Sequence, residues 1–453
     1  MLSEIFKAYD VRGLYGKTLT DEIAYRIGKA FVSFLKCRDV VVGYDMRLSS
    51  PKLAKAFAKG VNELGADVTD IGMVSTDALY FASGFLKKPA VMFTASHNPG
   101  NYNGIKFCRE DAIPINSDTG LEKIREILEK NDYRKNKTNK PGKTIKKDIL
   151  ENYFEHVKKF IDIKKLRNLK IAVDAGNGMA GKIVPLVYKN LPVKIIPLYF
   201  KLDGTFPNHP ADPSKYENLK DLQKAVKQEK CDFGMAFDGD ADRIFFVDGK
   251  GSIINSSLIS ALIIKNILNK NKNSNNKQKM IYNLVCSKIV PETIQKFGGK
   301  AIIERVGHSF IKDTMRKTNS IFACEHSAHY YYKDNFNADS GIISSLIVSE
   351  IVSKENKKLS SLLKEFQKYH KIEETNFEVK DKDKKIEEIE SIYKKQNPRN
   401  ISKLYGLTFD FGNWWFNVRP SNTEPLLRLN LEADSEKLMQ EKKEELVEII
   451  ENY

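Results

Sequence analysis

A chain of 453 residues with 41% hydrophobic, 10% aromatic and 29% charged residues is too long for one core, suggests roughly three or four globular domains, and is neither fibrous nor disordered in composition. The formal net charge of +15 comes from 74 Lys and Arg against 59 Asp and Glu, but the excess is spread over Lys- and Asn-rich segments without a basic block carrying aromatics, so a solvated lysine surface and an anionic small substrate are expected and nucleic acid is not. Five scattered cysteines without metal-ligand spacing, a start (residues 1–7) lacking the apolar core of a signal peptide, and the lack of any membrane-length apolar run lead to the expectation of a cytoplasmic protein with no membrane partner.

In chain order, the first strong element is the apolar run at 40–42, which passes into Gly43-Tyr44-Asp45 and then a helical pattern. The same strand, polar loop and helix plan returns at 171–176 and at 280–285. Units repeated at more than a hundred residues predict three similar α/β domains with parallel-type connections.

A second apolar run, Ala90-Val91-Met92-Phe93, empties into Thr94-Ala95-Ser96-His97-Asn98-Pro99-Gly100, where Pro and Gly stop both sheet and helix. Ser96 therefore sits at a strand mouth. A free serine hydroxyl is a poor nucleophile and needs a base, a cation or prior modification; alone it would be read as a turn cap. Lys106 follows closely, and carboxylates and a second basic loop come later.

Residues 131–147, rich in Lys and Asn with Pro141-Gly142, read as a connector into a helix near 150–160. Gly176-Asn177-Gly178-Met179-Ala180-Gly181 matches the dinucleotide fingerprint and, with Lys182, nearly a P-loop. Ile183 stands where a hydroxyl would hold Mg²⁺, and the strand at 193–198 ends without an acid for a ribose, so a tight strand-to-helix turn is preferred over a nucleotide site.

Asp238-Gly239-Asp240-Ala241-Asp242-Arg243 follows the apolar stretch 231–237. Three alternating carboxylates repel one another, and in a partly buried loop a bound cation relieves that cost; all-oxygen ligands point to a hard ion such as Mg²⁺. An EF-hand would need Gly and Glu where Arg243 and Gly249 stand. The rival is a solvated acidic turn.

The polar run 269–279 is predicted to be an exposed loop. Glu325-His326-Ser327-Ala328-His329 follows a strand-like stretch and offers groups for sugar hydroxyls, with a zinc site on His326 and His329 disfavoured for want of further ligands. After about residue 369 a strand (374–379), an amphipathic helix (384–395), paired strands (407–418) and a closing helix (435–451) form a smaller α+β domain. Its loop Arg419-Pro420-Ser421-Asn422-Thr423-Glu424-Pro425 is either a phosphate clamp or a plain polar hairpin. The predicted units are 1–147, 148–250, 251–368 and 369–453.

Taken together, residues 7–13 (Lys-Ala-Tyr-Asp-Val-Arg-Gly), 94–99 with 103–106, 238–243, Gly307-His308, 325–329 and 419–425 stand in an order that resembles the α-D-phosphohexomutases, closest to bacterial phosphomannomutases and phosphomannomutase/phosphoglucomutases. The resemblance covers essentially the whole chain. It implies three α/β domains with mixed sheets and a last domain like the TATA-binding protein, around a central cleft.

The resemblance further implies that Ser96 is a phosphoserine and holds Mg²⁺ with Asp238, Asp240 and Asp242. Arg12, Lys106 and Arg243 would line the transfer site, and Tyr9 would touch the sugar. Glu325, Ser327 and His329 would hold its hydroxyls, with His308 assisting. Arg419, Ser421, Asn422 and Thr423 would grip the phosphate that does not react. Mannose 1-phosphate and mannose 6-phosphate would interconvert through a hexose 1,6-bisphosphate that also serves as activator, in a monomer or weak homodimer. Glucose or dual specificity is the alternative, then glucosamine phosphates; a metal-dependent phosphatase is the rival from another class.

Two departures stand out: Cys324 replaces the glycine usual before the Glu-x-Ser motif, and Val285 stands where a basic residue often precedes Cys-Ser in the third domain, leaving Lys288 or Arg305 to compensate.

Overall fold

The computed structural model describes residues 2–133, 140–272, 276–421 and 426–451. Each of the first three units is built on a mixed sheet. In the first the strand order is Val11–Leu14, Tyr102–Cys108, Ala90–Phe93, Asp39–Tyr44, Asp67–Met73 and Thr144–Lys146. Asp39–Tyr44 pairs parallel with both neighbours, whereas Tyr102–Cys108 returns antiparallel to Ala90–Phe93. Parallel strands covered on both faces read as continuous apolar runs, which is why Val40, Val41, Val42, Val91 and Phe93 are all buried.

The second sheet has Leu169–Asp174 between Val193–Leu198 and Phe233–Phe237, both parallel to it, with Ile244–Asp248 folding back antiparallel. In the third, Lys279–Asn283 lies between Lys300–Glu304 and Phe322–Cys324 in parallel, and Tyr330–Tyr332 returns antiparallel. The repeated plan read from the sequence is therefore present three times.

One continuous apolar cluster runs under these units. It takes in Leu79 and Phe81 of the helix Thr76–Leu86, Tyr153 of Leu150–Lys158, Val184 of Ala180–Val187, and Ile343 and Val348 of Gly341–Glu355. The last unit has a core of its own, including Phe409, Phe416, Leu429, Leu431 and Leu446. Its antiparallel sheet carries Trp414, Phe416 and Val418 on one face against the helices Lys382–Tyr393 and Glu436–Glu451, and alternation places Trp415, Asn417 and Arg419 on the other. No helix among the described residues is long and apolar enough to cross a membrane.

The connector reading at 131–147 needs correction. Thr144–Lys146 joins the first sheet as an edge strand parallel to Asp67–Met73. All three of its residues are exposed, so no buried alternation marks it in the sequence, and Lys146 suits an unpaired edge.

Candidate active site

Ser96 lies in the loop between Ala90–Phe93 and Tyr102–Cys108, with φ at 49°, in the left-handed region that non-glycine residues seldom occupy. Such a conformation persists only where the surroundings impose it, and Arg47 does so. Its guanidinium, wholly buried, donates to the carbonyl oxygens of Ser96 (2.8 Å), Asn98 (2.7 Å), Pro99 (2.7 Å) and Tyr102 (3.0 Å), and is itself held by Asp45 at 3.1 Å. The loop is thus wound around one fixed cation.

The second unit approaches this loop closely. A Cβ added to Gly239 would stand 2.4 Å from the Ser96 carbonyl oxygen, so only glycine permits the contact. The turn at 176–181 supports that approach: the Met179 N–H donates to the Gly239 carbonyl at 2.9 Å, and Gly178 packs against Gly239. Lys182 spends its ammonium on the Met73 carbonyl at 2.6 Å. The dinucleotide-like run serves to seat the acidic loop.

Ser96 Oγ donates to Asp238 Oδ2 at 2.6 Å. Asp238, Asp240 and Asp242 are at most 1% exposed and present ligand oxygens within 4.8 Å of one another. Lys106 Nζ lies between Asp240 (2.8 Å) and Asp242 (2.7 Å), Arg243 Nε donates to Asp238 at 2.9 Å, and Thr76 Oγ1 donates to Asp240 at 2.5 Å. Even so, Asp240 Oδ1 and Asp242 Oδ1 are buried without a hydrogen-bond partner. Two orphaned carboxylate oxygens in an all-oxygen set fit a hard divalent ion.

The electrostatics follow from burial and proximity. Burial, and then the like charges of Asp242 and Asp240, raise the Asp238 carboxyl despite Arg243. For Asp240 burial also works upward, but the Lys106 ammonium overrides it and the carboxyl stays well below its usual range. Lys106 is desolvated, yet the same two carboxylates hold it firmly protonated. Arg12 reaches the Ser96 loop from the first strand, pairing with Asp10 and donating to Asn98 Oδ1 at 2.5 Å.

From the third unit, His329 Nδ1 bonds Asp339 Oδ2 at 2.8 Å and stands 3.8 Å from Asp242. Burial would lower this imidazole, but Asp242 and Asp339 raise it. With Nδ1 donating to Asp339, Nε2 is left as the basic nitrogen. Lys312 Nζ, fully buried, holds the other oxygen of Asp339 at 2.7 Å. His308 packs edge-on to Tyr9 with centroids 5.0 Å apart, and burial pushes its imidazole well down. Glu325 receives bonds from Asn283, Gly307 N–H and Tyr331, which fixes its carboxylate and leaves limited acceptor capacity for a ligand. Ser327 sits in the turn between Phe322–Cys324 and Tyr330–Tyr332.

Arg419 belongs to the polar face of the last sheet. Its guanidinium donates to Glu374 at 2.5 Å, and Glu374 also accepts from Arg428 (3.2 Å) and Asn430 (2.9 Å). Ser421 follows the strand Trp414–Pro420 with its N–H on the Leu426 carbonyl. Asn422 and Thr423 lie outside the described residues.

Comparison with known proteins decides the lineage. Descriptions of the phosphoglucomutase/phosphomannomutase family match its α/β/α domain I at residues 3–135, domain II at 151–251, domain III at 255–369 and its C-terminal domain at 374–449. The chain belongs to this family. A phosphomannomutase of Methanocaldococcus jannaschii is 40% identical over 447 residues, spanning 98% of this chain and 97% of its own. A phosphomannomutase/phosphoglucomutase of Pseudomonas aeruginosa is 38% identical, covering 96% and 92%. Among solved structures, a phosphoglucomutase/phosphomannomutase family protein of Burkholderia thailandensis superposes with a TM-score of 0.88 at 30% identity, covering 99% and 98%.

Within this family member the fold brings Ser96, Arg12, Lys106, Asp238, Asp240, Asp242, Arg243 and His329 into one site drawn from three units. Sequence reasoning missed Arg47, Thr76, Asp339 and Lys312. An Asp-x-Arg at a strand end was the available signal for Arg47; Lys312 and Asp339 gave none, because each acquires meaning only through a partner distant in the chain. Of the two cations expected to compensate for Val285, Lys288 is committed to Asp410 (2.8 Å) and the Gly412 carbonyl (2.7 Å), and Arg305 pairs with Asp118 at 3.0 Å.

Proposed function

We propose that this chain interconverts mannose 1-phosphate and mannose 6-phosphate, with Ser96 as the phosphorylated residue. The observation that carries the reading is the Ser96 hydroxyl bonded to Asp238 inside a buried cage of three carboxylates, Lys106 and Arg243. A hydroxyl in such a cage is poised for phosphoryl transfer, where catalysis is in-line placement plus neutralisation of the charge on the moving group.

In the forward step the free hydroxyl of the hexose monophosphate attacks the phosphorus on Ser96. The bond from phosphorus to Ser96 Oγ breaks, a bond to the sugar oxygen forms, and the sugar proton passes to a base. His329 Nε2, freed by the Nδ1 bond to Asp339, is the group assigned to that proton. The hexose 1,6-bisphosphate then turns over and returns its other phosphate to Ser96. Arg12, Lys106 and Arg243 bind the transferring oxygens; Tyr9, Glu325, Ser327 and His308 face the sugar; Arg419, Ser421, Asn422 and Thr423 hold the second phosphate. Asp238, Asp240 and Asp242, with the phosphoserine, would hold Mg²⁺, which when bound withdraws charge from the phosphoryl oxygens.

The name of the Pseudomonas relative favours a second reading, use of glucose phosphates as well. Measuring kcat/KM for mannose 1-phosphate and glucose 1-phosphate side by side, with Mg²⁺ and a trace of glucose 1,6-bisphosphate, separates the two. A large ratio names one sugar, comparable values mark dual use, and isomerisation of neither sinks the proposal.

A further inference from the structure

Beside Arg419 on the polar face of the last sheet is a cation that the account above leaves unused. Lys371, in the two-residue strand His370–Lys371, pairs with Glu432 in register and projects onto the same face as Asn430. Its ammonium donates to Asn430 Oδ1 at 3.0 Å and stands 5.1 Å from the Trp415 ring. The Asn430 amide in turn donates to Glu374 Oε2, the oxygen that Arg419 holds. Lys371 and Arg419 are therefore linked through one asparagine and one carboxylate.

No carboxylate among the described residues lies within ion-pair distance of Lys371; its one hydrogen bond goes to a neutral amide. Lys371 is partly buried, and a partly desolvated ammonium without an ionic partner is costly unless an anion meets it. Around it are Glu432 from the sheet, Glu374 from the segment just before the strand Thr375–Glu378, Arg419 beside them, and from the third unit the Cys286 thiol and the His326 imidazole. His326 Nδ1 is buried without a partner. Glu432 Oε1 accepts from the Lys288 N–H and Trp415 Nε1 at 2.9 Å each, while its Oε2 is buried without a hydrogen-bond partner and beyond ion-pair distance of Lys371. From the third unit, Val285 is buried and apolar, Lys288 is engaged by Asp410, and Arg305 forms an exposed pair with Asp118.

We propose that Lys371 is a phosphate-binding residue, the second cation of the Arg419 clamp, meeting the non-reacting phosphate of the hexose phosphate directly. The assignment rests on the mutase reading for its ligand. It makes the last unit supply both cations of the clamp, so that phosphate is gripped from one sheet.

The site also predicts a pH signature. Burial, followed in effect by the opposing pull of Glu432, Glu374 and Cys286, leaves the Lys371 ammonium lowered to about 8. Below that pH the charge is present; above it the charge is lost in the free enzyme, so kcat/KM falls on the alkaline side. Arginine at this position stays protonated throughout.

Full-length Lys371→Met and Lys371→Arg are compared with wild type by steady-state kinetics on mannose 1-phosphate and by calorimetric titration with mannose 6-phosphate. Lys371→Met is expected to raise KM and weaken the titrated affinity by about tenfold or more with kcat within about twofold, as loss of uniform binding requires. Lys371→Arg should bind near wild type and lose the alkaline fall. Unchanged KM and affinity in Lys371→Met, or a loss confined to kcat, overturns the proposal. Should Lys371→Met fail to fold, the Lys371→Arg profile decides: a retained fall near pH 8 overturns it. If wild type isomerises no sugar the mutase reading fails, while the calorimetric comparison still tests Lys371.

Discussion

Arg47 offers the sharpest test of how the Ser96 loop is held. Replacing it with Met keeps the length and removes five hydrogen bonds, four to the carbonyls of Ser96, Asn98, Pro99 and Tyr102 and one to Asp45. Bonds to a charged donor contribute about 1.5–3 kcal/mol each but do not add, and removing one partner of a buried ion pair costs about 3–5 kcal/mol. The side chain is 0% exposed, so water does not readily replace it; a loss of about 4 kcal/mol is expected. Part of it falls on the backbone of Ser96, held at φ 49°. Relaxation there moves Oγ relative to Asp238, and a displacement of about 1 Å in such a site costs on the order of a hundredfold in turnover. The assay pairs kcat on mannose 1-phosphate with the urea midpoint of unfolding. Arg47→Lys, with three donors in place of five, should fall between. A variant Arg47→Met with kcat within about threefold of wild type and an unmoved midpoint refutes the reasoning.

Two further outcomes follow from the geometry. Asp240→Asn removes one carboxylate of the proposed metal set and a partner of Lys106, so Mg²⁺ for half-maximal activity and the calorimetric Mg²⁺ dissociation constant should both rise by about tenfold or more; unchanged values place the metal elsewhere. Glu374 is desolvated, but Arg419 and Arg428 hold its carboxyl down at about 2. A depressed carboxyl stabilises the fold above its unfolded value, near 4.5, and that contribution, on the order of 3 kcal/mol, disappears as pH falls from 4.5 toward 2. The difference in unfolding midpoint between wild type and Glu374→Gln should close over that interval, and a pH-independent difference would exclude the linkage.

Much of this was legible before any coordinates. Strand ends were marked by Pro and Gly, so the loops bearing Ser96 and Asp238 through Asp242 were placed at strand ends as observed, and the carboxylate spacing announced the cluster of Asp238, Asp240 and Asp242. What stayed hidden depends on tertiary approach. Gly178 and Gly239 look like a nucleotide fingerprint and an acidic turn until the backbone of one packs on the other and on Ser96. Thr144–Lys146 has no apolar face to betray a strand. Lys371 sits in a strand of two residues, too short for a periodic signal, and its bond to Asn430 spans 59 positions of chain.

The central claim is that Ser96 carries the phosphoryl group, and labelling tests it most directly. Wild type and Ser96→Ala are incubated with radiolabelled glucose 1,6-bisphosphate and Mg²⁺, digested, and the labelled peptide is sequenced. The account predicts label on Ser96 alone, chased off by mannose 1-phosphate, and none on Ser96→Ala. Label on another residue, or a Ser96→Ala protein that still takes up label and isomerises at a near-normal rate, would contradict it.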